Sequence, residues 1–117
     1  MKVLIDTSVW IDHLNKPVKE LEKILKSPER LLLHPFIRGE LSLSNSQKTK
    51  ILLKELQFFS DIQIATHQEV IEAVNLYKLQ GIGIGWIDCH LFTSCKLAGI
   101  KLLTHDKILK RISDEFL

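Results

Sequence analysis

Cysteines, aromatic residues and long apolar runs are all scarce in this sequence. It holds two cysteines among 117 residues, and 7% of its residues are aromatic. Cys89 and Cys95 lie six positions apart in one predicted helix and point in different directions, which argues against a disulfide between them. No apolar run approaches the ~18 residues that span a bilayer, and Asp6 interrupts the N-terminal run, which argues against a secretory signal. We therefore expect a soluble cytoplasmic protein with reduced thiols and no membrane association.

The rest of the composition is that of an ordinary globular domain. Hydrophobic residues make up 45% of the chain and charged residues 26%, which argues against disorder. The length suits a single domain, residues 1–117. The net charge of +2 permits nucleic-acid binding without requiring it.

Four short apolar runs, separated by helical patterns, predict one α/β domain. Three runs are nearly continuous and are typical of strands buried in a parallel sheet, whereas the fourth alternates like an edge strand. They are residues 2–6, 30–34 and 101–105, with residues 62–66 as the weaker fourth run. Because ligands of such sheets bind beyond the carboxyl ends of the strands, residues that follow the strands are the first candidates for a site.

Two acids follow predicted strands. Asp6 ends the first strand and Asp106 comes just after the last one, and a helical pattern begins after each of them. Either acid suits a ligand site at the edge of the sheet. The ordinary alternative is that each caps the N-terminus of its helix, a position that Asp favours.

Two further acids occupy notable positions in predicted helices. Glu40 lies on the same apolar helical stripe as Phe36 and Leu43. Burying an ionised carboxylate there costs free energy unless a cation or strong hydrogen-bond donors compensate. The alternative is that Glu40 lies at the edge of the stripe and reaches water. Asp88 follows GIGIGW, which we expect to be a flexible approach to a helix, and its alternative role is capping in a first turn that favours anions. The core stripe of that helix is predicted to be Ile87, Leu91, Cys95 and Ala98.

If these four acids converge, they form one oxygen-rich site. Like charges close together raise one another's pKa and destabilise the fold, and a divalent cation removes that conflict. Oxygen ligands without a neighbouring set of Cys or His suit Mg²⁺ or Mn²⁺ better than zinc. Such a cation activates water for in-line attack on a phosphate. The pattern therefore indicates metal-dependent chemistry on phosphate esters.

The same residues carry a resemblance to a known family. The segments VLIDTSVWIDHL, RGEL, GIGWIDCHLFTSCKLAG and LLTHDKIL resemble the PIN-domain ribonucleases, and among them the VapC-type toxins of toxin–antitoxin pairs. The resemblance covers nearly the whole chain in the family's order and spacing. It implies a three-layer α/β/α fold with a central parallel sheet of four to five strands, and a Mg²⁺- or Mn²⁺-dependent endoribonuclease. It also implies a homodimer and a cognate antitoxin protein as a partner.

The family's acidic quartet falls on the four acids described above. By this resemblance, Asp6 and Asp88 are the main metal ligands, while Glu40 and Asp106 complete the negative cluster and act through water or on a second cation. All four positions match the family, so an active nuclease is expected. The alternative is a PIN-like domain that binds RNA or protein without cleaving. A Rossmann-like nucleotide-binding domain is a weaker alternative, because no GxGxxG segment follows the first strand.

Supporting roles are expected for hydroxyl and basic residues. Ser8 and Thr104 match hydroxyl positions of the family and would hydrogen-bond carboxylates or phosphate. Arg38, Lys101 and Lys107 are candidates for holding the RNA backbone if they rim the acidic site, and an ordinary solvated surface is the alternative.

The tryptophans and one histidine are predicted to have structural roles. Trp10 and Trp86 neighbour apolar residues and should anchor the core or an interface rather than stack on bases. His90 faces away from Asp88 on the predicted helix, so a packing or solvent-side role is expected.

Overall fold

The computed structural model describes residues 1–117, which form three strands and seven α-helices. The strands are β1 (Val3–Ile5), β2 (Leu31–Leu32) and β3 (Lys101–Leu103). The helices are α1 (Thr7–Asn15), α2 (Lys19–Leu25), α3 (Pro35–Ser42), α4 (Gln47–Leu56), α5 (His67–Leu76), α6 (Trp86–Ala98) and α7 (Lys107–Phe116). None of these helices has the length and apolar character needed to cross a membrane.

The sheet is parallel throughout and has the order β2-β1-β3. Val3 pairs with Leu31 on one side, and Ile5 pairs with Leu103 on the other. This register aligns the carboxyl ends of β1 and β3, so the residues that follow them, Asp6 and Thr104, lie at the same edge. The predicted α/β class with a central parallel sheet is confirmed.

The sheet is narrower than the four to five strands expected. Residues 62–66 form no strand, and only an isolated bridge joins Leu33 to Asp61. The hydrogen bonds at this bridge run from the Leu33 N–H to the Ser60 carbonyl and from the Ile62 N–H to the Leu33 carbonyl. Ile64 is then 42% exposed, so the alternation expected of a half-buried strand is broken, and the segment turns into α5.

The apolar core is built around β1, all three residues of which are buried. A larger cluster joins β1 and β2 to the first four helices and includes the fully buried Trp10. A smaller cluster joins the last three helices through Val70, Phe92 and Leu109. Helix α6 contributes to both clusters, with Leu91 in the larger and Phe92 in the smaller.

Helix α6 packs between the two apolar clusters, and this explains why the core stripe predicted for it was wrong at both ends. Ile87 and Ala98 are exposed, whereas the seven consecutive residues from Cys89 to Cys95 are all buried. A helix that is covered on several sides buries its whole circumference instead of one stripe. Burial also raises the pKa of Cys95 to about 12, so this thiol is unreactive near neutral pH.

Candidate active site

Asp6 lies where β1 ends and α1 begins, and it is only 6% exposed. Its carboxylate accepts three hydrogen bonds. Oδ1 accepts from the backbone N–H of Thr7 at 2.8 Å, as in an N-cap, and Oδ2 accepts from Ser8 Oγ and Thr104 Oγ1, both at 2.8 Å. Three donors aimed at one carboxylate fix its orientation and compensate for its removal from water.

The same two hydroxyls join the two strand-to-helix junctions. Ser8 Oγ accepts a hydrogen bond from the His105 N–H at 3.1 Å, and Thr104 Oγ1 accepts one from the Asp106 N–H at 3.0 Å. Each hydroxyl thus donates to Asp6 and accepts from the loop that precedes α7. The structure therefore places Ser8 and Thr104 against the first acid and holds the last acid beside them.

Glu40 comes to the site from α3. Its Oε1 accepts a hydrogen bond from Thr7 Oγ1 at 2.8 Å, so the first residue of α1 joins Glu40 to the neighbourhood of Asp6. The predicted stripe on this helix was wrong: its buried residues are Ile37 and Leu41, and Leu43 is 85% exposed. Glu40 lies beside the buried stripe and is half-buried.

Asp88 is in the first turn of α6 and is also half-buried. Its pKa is raised from 3.8 to about 6, mostly by burial and then by the negative charges of Asp6, Asp106 and Glu40, in that order. The pKa shift therefore links Asp88 to all three other acids. The N-cap residue of α6 is Gly85, which supplies no side-chain acceptor, so the N–H groups of this first turn remain available to an anion.

Asp106 is the N-cap of α7, where its Oδ1 accepts a hydrogen bond from the Leu109 N–H at 2.9 Å. Its side chain is exposed. The capping alternative therefore holds for both Asp6 and Asp106, and it does not compete with a role in the site, because a capping carboxylate keeps lone pairs for another ligand.

The donor set suits a hard divalent cation. Four carboxylates from four different elements supply only oxygen, and their mutual repulsion, visible at Asp88, is what a cation would relieve. No group of three or more His, Cys, Asp or Glu side chains stands in the geometry of a formed metal site. To hold one cation together, these carboxylates would have to move toward one another.

The glycine-rich segment before Asp88 uses backbone conformations that favour glycine. Gly81 and Gly83 have φ angles of 73° and 89°, in the region that favours glycine. A Cβ on Gly83 would lie 3.1 Å from Cδ1 of Ile108 in α7. The segment thus packs closely against the helix that Asp106 caps, and this contact positions the start of α6.

Replacing Gly83 with Ala is expected to destabilise the fold by about 1–3 kcal/mol, since it combines a strained φ with a close contact. Gly85→Ala is the matched control, because Gly85 has a φ of −80° and a Cβ there meets no atom within 4 Å. We expect this second change to alter the free energy of unfolding by less than about 0.5 kcal/mol. Urea unfolding of both variants measures the difference, and equal midpoints would contradict the packing role of Gly83.

The three predicted RNA-binding residues lie in different surroundings. Arg38 is fully engaged: Nε donates to Asp61 Oδ1 at 2.7 Å, Nη1 to the Leu56 carbonyl at 3.0 Å and Nη2 to the Phe59 carbonyl at 2.8 Å. The structure therefore gives Arg38 a structural role in place of the predicted contact with RNA.

The two lysines differ in their distance from the acids. Lys101 is the first residue of β3, at the opposite edge of the sheet from Thr104, and its Nζ donates to the Leu117 carbonyl at 2.6 Å. It does not rim the acidic site. Lys107 is exposed and follows Asp106 directly, so it alone of the three remains a candidate for holding RNA.

Thr7 is the site residue that the sequence did not reveal. Its position between Asp6 and Ser8 could have indicated a place near the site. Its partner Glu40, however, lies 33 positions away in sequence, and only the fold brings the two together. His105 also gains a partner, since its Nδ1 lies 2.5 Å from Asp12 Oδ2 on the exposed side of α1.

The aromatic predictions were partly correct. Trp10 is a core residue as expected, but Trp86 is 43% exposed. His90 has the predicted packing role, because it is buried between the rings of Phe36 and Trp86. The solvent-side alternative for His90 was wrong.

A parallel sheet with Asp6 and Asp106 after its strands, and with Glu40 and Asp88 on its helices, fits the class of protein that the sequence resembles, and comparison with known proteins agrees. The family model of the PIN domain matches residues 3–115. The chain belongs to the PIN domain family, and its resemblance to the VapC type is confirmed by its relatives. Two of these are Ribonuclease VapC32 from the Mycobacterium tuberculosis strains CDC 1551 / Oshkosh and ATCC 25618 / H37Rv. Each is 36% identical over 109 residues, which cover 92% of this chain and 87% of the relative.

Proposed function

We propose that this chain is a Mg²⁺- or Mn²⁺-dependent endoribonuclease of the VapC type that acts in the cytoplasm. The observation that carries the proposal is the network of hydroxyls that links Asp6 to Glu40 through Thr7 and to the Asp106 N–H through Thr104, and burial followed by the charges of these three acids also raises the pKa of Asp88. A fold has no structural need for four acids that repel one another. The name of the curated relatives, a ribonuclease, supports the same reaction.

Asp6 and Asp88 would be the main ligands of the cation, with Glu40 and Asp106 acting through water. A bound divalent cation supplies positive charge that neutralises the phosphate and lowers the pKa of water. The hydroxyls of Ser8 and Thr104 keep the Asp6 carboxylate in a single orientation. Such supporting hydrogen bonds fix how a ligand presents its lone pairs.

Glu40 is suited to orient the attacking water. Thr7 occupies its Oε1, which leaves Oε2 to accept a proton or a hydrogen bond from water. The N–H groups in the first turn of α6 would donate to phosphate oxygens beside Asp88, and Lys107 would offset the repulsion between RNA and the carboxylates. The water oxygen bonds to phosphorus as the bond to the 3′-oxygen breaks, which leaves 5′-phosphate and 3′-hydroxyl ends.

Removal of divalent cations tests this proposal. We expect the purified chain to cleave RNA with Mg²⁺ or Mn²⁺, EDTA to stop the cleavage, and added metal to restore it. Asp6→Asn should lower the rate at least about 100-fold, because it removes a charged ligand of the cation. In metal sites, mutation of a residue that only hydrogen-bonds to such a ligand already lowers activity by about 10- to 100-fold. Glu55→Gln, an exposed acid on α4, is the control and should cleave normally.

The outcomes separate the candidate functions. Cleavage that continues unchanged in EDTA would exclude the cation mechanism. Failure to cleave any RNA pool, with RNA binding intact, would favour a PIN-like domain that binds without cleaving. Gel electrophoresis of end-labelled RNA also reports the chemistry of the new ends.

A cognate antitoxin and a homodimer remain proposals for partners. Several large apolar side chains are exposed on the helical surface, among them Leu43, Ile51 and Leu76, and such residues commonly lie at protein interfaces. Size-exclusion chromatography of the chain, with and without the product of a neighbouring small reading frame, tests both proposals. A monomer that binds no such product would contradict them.

A further inference from the structure

Thr7 contacts two of the four acids at once. It is the first residue of α1, it is half-buried, and it directly follows Asp6 in the chain. Its backbone N–H donates to Asp6 Oδ1 and its hydroxyl Oγ1 donates to Glu40 Oε1, both at 2.8 Å. One residue therefore connects the carboxylate that follows β1 to the carboxylate on α3.

The position of Thr7 in its helix leaves the hydroxyl available for this contact. Inside a helix, a threonine hydroxyl commonly donates to the carbonyl three or four residues earlier. In this chain those two positions are Leu4 and Val3, which belong to β1, so no helical carbonyl competes for the hydroxyl. A branched side chain also has few χ1 rotamers. The Thr7 hydroxyl is thus a donor with little freedom to turn elsewhere.

Glu40 has no other donor. It lies in the last turn of α3, where the helix dipole is negative and does not stabilise a carboxylate. None of the chain's three ion pairs includes Glu40, and the neighbouring Arg38 donates to Asp61 and to backbone carbonyls instead. The only hydrogen bond that its carboxylate accepts comes from Thr7. Without this bond, a long side chain with several rotatable bonds would lose its fixed orientation.

Asp6 does not depend on the Thr7 hydroxyl in the same way. Its carboxylate accepts from the backbone N–H of Thr7 and from the hydroxyls of Ser8 and Thr104. A substitution that removes only the Thr7 hydroxyl keeps all three of these donors. The effect of such a substitution is therefore confined to Glu40.

We propose that Thr7 is a positioning residue, whose hydroxyl sets the orientation of the Glu40 carboxylate relative to Asp6. The inference rests on the proposed nuclease function and adds a residue outside the four acids on which the rate depends. Because Thr7 occupies Oε1, the bond also decides where Oε2 points, and Oε2 is the oxygen left to orient the attacking water. In this role Thr7 acts through Glu40 rather than by touching RNA.

Cleavage kinetics at saturating Mn²⁺ test this role, with a short single-stranded RNA of mixed sequence as the substrate. Thr7→Val replaces the hydroxyl with a methyl group and should lower kcat about 10- to 100-fold with little change in KM. Thr7→Ser keeps the hydroxyl and should restore most of the rate. Thr66→Val is the matched control: this hydroxyl caps α5 by accepting from the Glu69 N–H, so its loss should lower stability and leave kcat unchanged.

A double-mutant cycle in EDTA tests the hydrogen bond without RNA or cation. Thr7→Val should destabilise the wild type more than it destabilises a Glu40→Ala variant, in which the hydroxyl has already lost its acceptor. We expect the two costs to differ about 3- to 10-fold in the equilibrium constant of unfolding, measured in urea. Equal costs would show that the bond does not hold Glu40, and the proposal would be overturned.

Calorimetric titration with Mn²⁺ gives a further readout that does not depend on cleavage. Thr7→Val should weaken Mn²⁺ binding about 10-fold, whereas Thr7→Ser and Thr66→Val should not. If the chain cleaves RNA and Thr7→Val leaves kcat unchanged, or Thr7→Ser is as slow as Thr7→Val, the positioning role is overturned and the nuclease stands. If the chain cleaves no RNA but Mn²⁺ binding depends on the hydroxyl, the positioning role stands and the nuclease function fails. If neither is observed, both fail.

Discussion

Asp88→Asn is expected to abolish RNA cleavage, by about 1,000-fold or more, and at the same time to stabilise the cation-free protein. The activity is lost because the variant removes a charged ligand from the site. The stability is gained because the variant removes a carboxylate whose ionisation is opposed by burial and by three neighbouring acids. Opposite effects on activity and stability are typical of residues kept for function.

The sign of the pH dependence follows from the raised pKa. Because the folded protein holds the Asp88 proton more tightly than the unfolded chain, its stability falls as pH rises from 3.8 toward about 6 and stays lower above that range. We expect Asp88→Asn to raise the free energy of unfolding by about 1 kcal/mol at pH 7.5. This value allows for solvent screening of a half-buried group and for the favourable interaction between the Asp88 charge and the helix dipole, which Asn lacks. Near pH 4 the gain should vanish.

Urea unfolding in EDTA at the two pH values measures this effect. Added Mg²⁺ should stabilise the wild type more than the variant, since the variant has lost part of the cation's binding free energy. Glu55→Gln is again the control and should show neither the gain nor its pH dependence. If the variant is less stable than the wild type at pH 7.5 in EDTA, hydrogen-bond donors stabilise the Asp88 carboxylate more than the neighbouring acids destabilise it.

Arg38→Met should produce the largest loss of stability, about 2–4 kcal/mol, with cleavage of RNA retained below the new melting temperature. The variant removes three hydrogen bonds and leaves the Phe59 carbonyl without its side-chain donor, while the Leu56 carbonyl keeps only the hydrogen bond from the Phe59 N–H. These carbonyls lie at the end of α4 and just after it, on the way to Asp61, so the guanidinium fastens this segment to α3.

Two further variants sharpen the test of Arg38. Arg38→Lys should recover little of the stability, because an ammonium does not reproduce the planar fork that reaches three separate acceptors. Arg111→Met, at an exposed cation on α7, should change the free energy of unfolding by less than about 0.5 kcal/mol. Thermal unfolding followed by circular dichroism gives the comparison. Normal stability with lost RNA binding would restore the role that the sequence suggested for Arg38.

Arg38 also shows the limit of the sequence argument. Its charge and its nearness to Glu40 in the chain suggested a ligand contact, but its acceptors are carbonyls that no side-chain pattern reveals. Trp86 is similar, since its apolar neighbours in sequence predicted an anchor of the core or of an interface, and only the fold shows that its position at the first residue of α6 leaves it partly exposed. In both cases the deciding partners are distant in sequence or belong to the backbone.

The places of two of the acids in the fold could be predicted because they follow from simple geometry. Asp6 and Asp106 come after parallel strands, and the carboxyl ends of such strands meet at one edge. Asp88 was recognisable as the acid of a first helical turn. Glu40 was selected for a partly wrong reason, since the buried stripe passes beside it, and its link to the site through Thr7 required the fold.

The order of the strands has a consequence for protein synthesis. β1 is among the first segments to leave the ribosome, but it pairs with β3, and the Asp6 carboxylate receives one of its three hydrogen bonds from Thr104, 98 positions later. Such long-range pairing forms late, because a large loop must close first. A nascent chain therefore lacks the assembled carboxylates until nearly all of it has been translated. On the function proposed above, a partly translated chain would therefore not cleave the RNA around it.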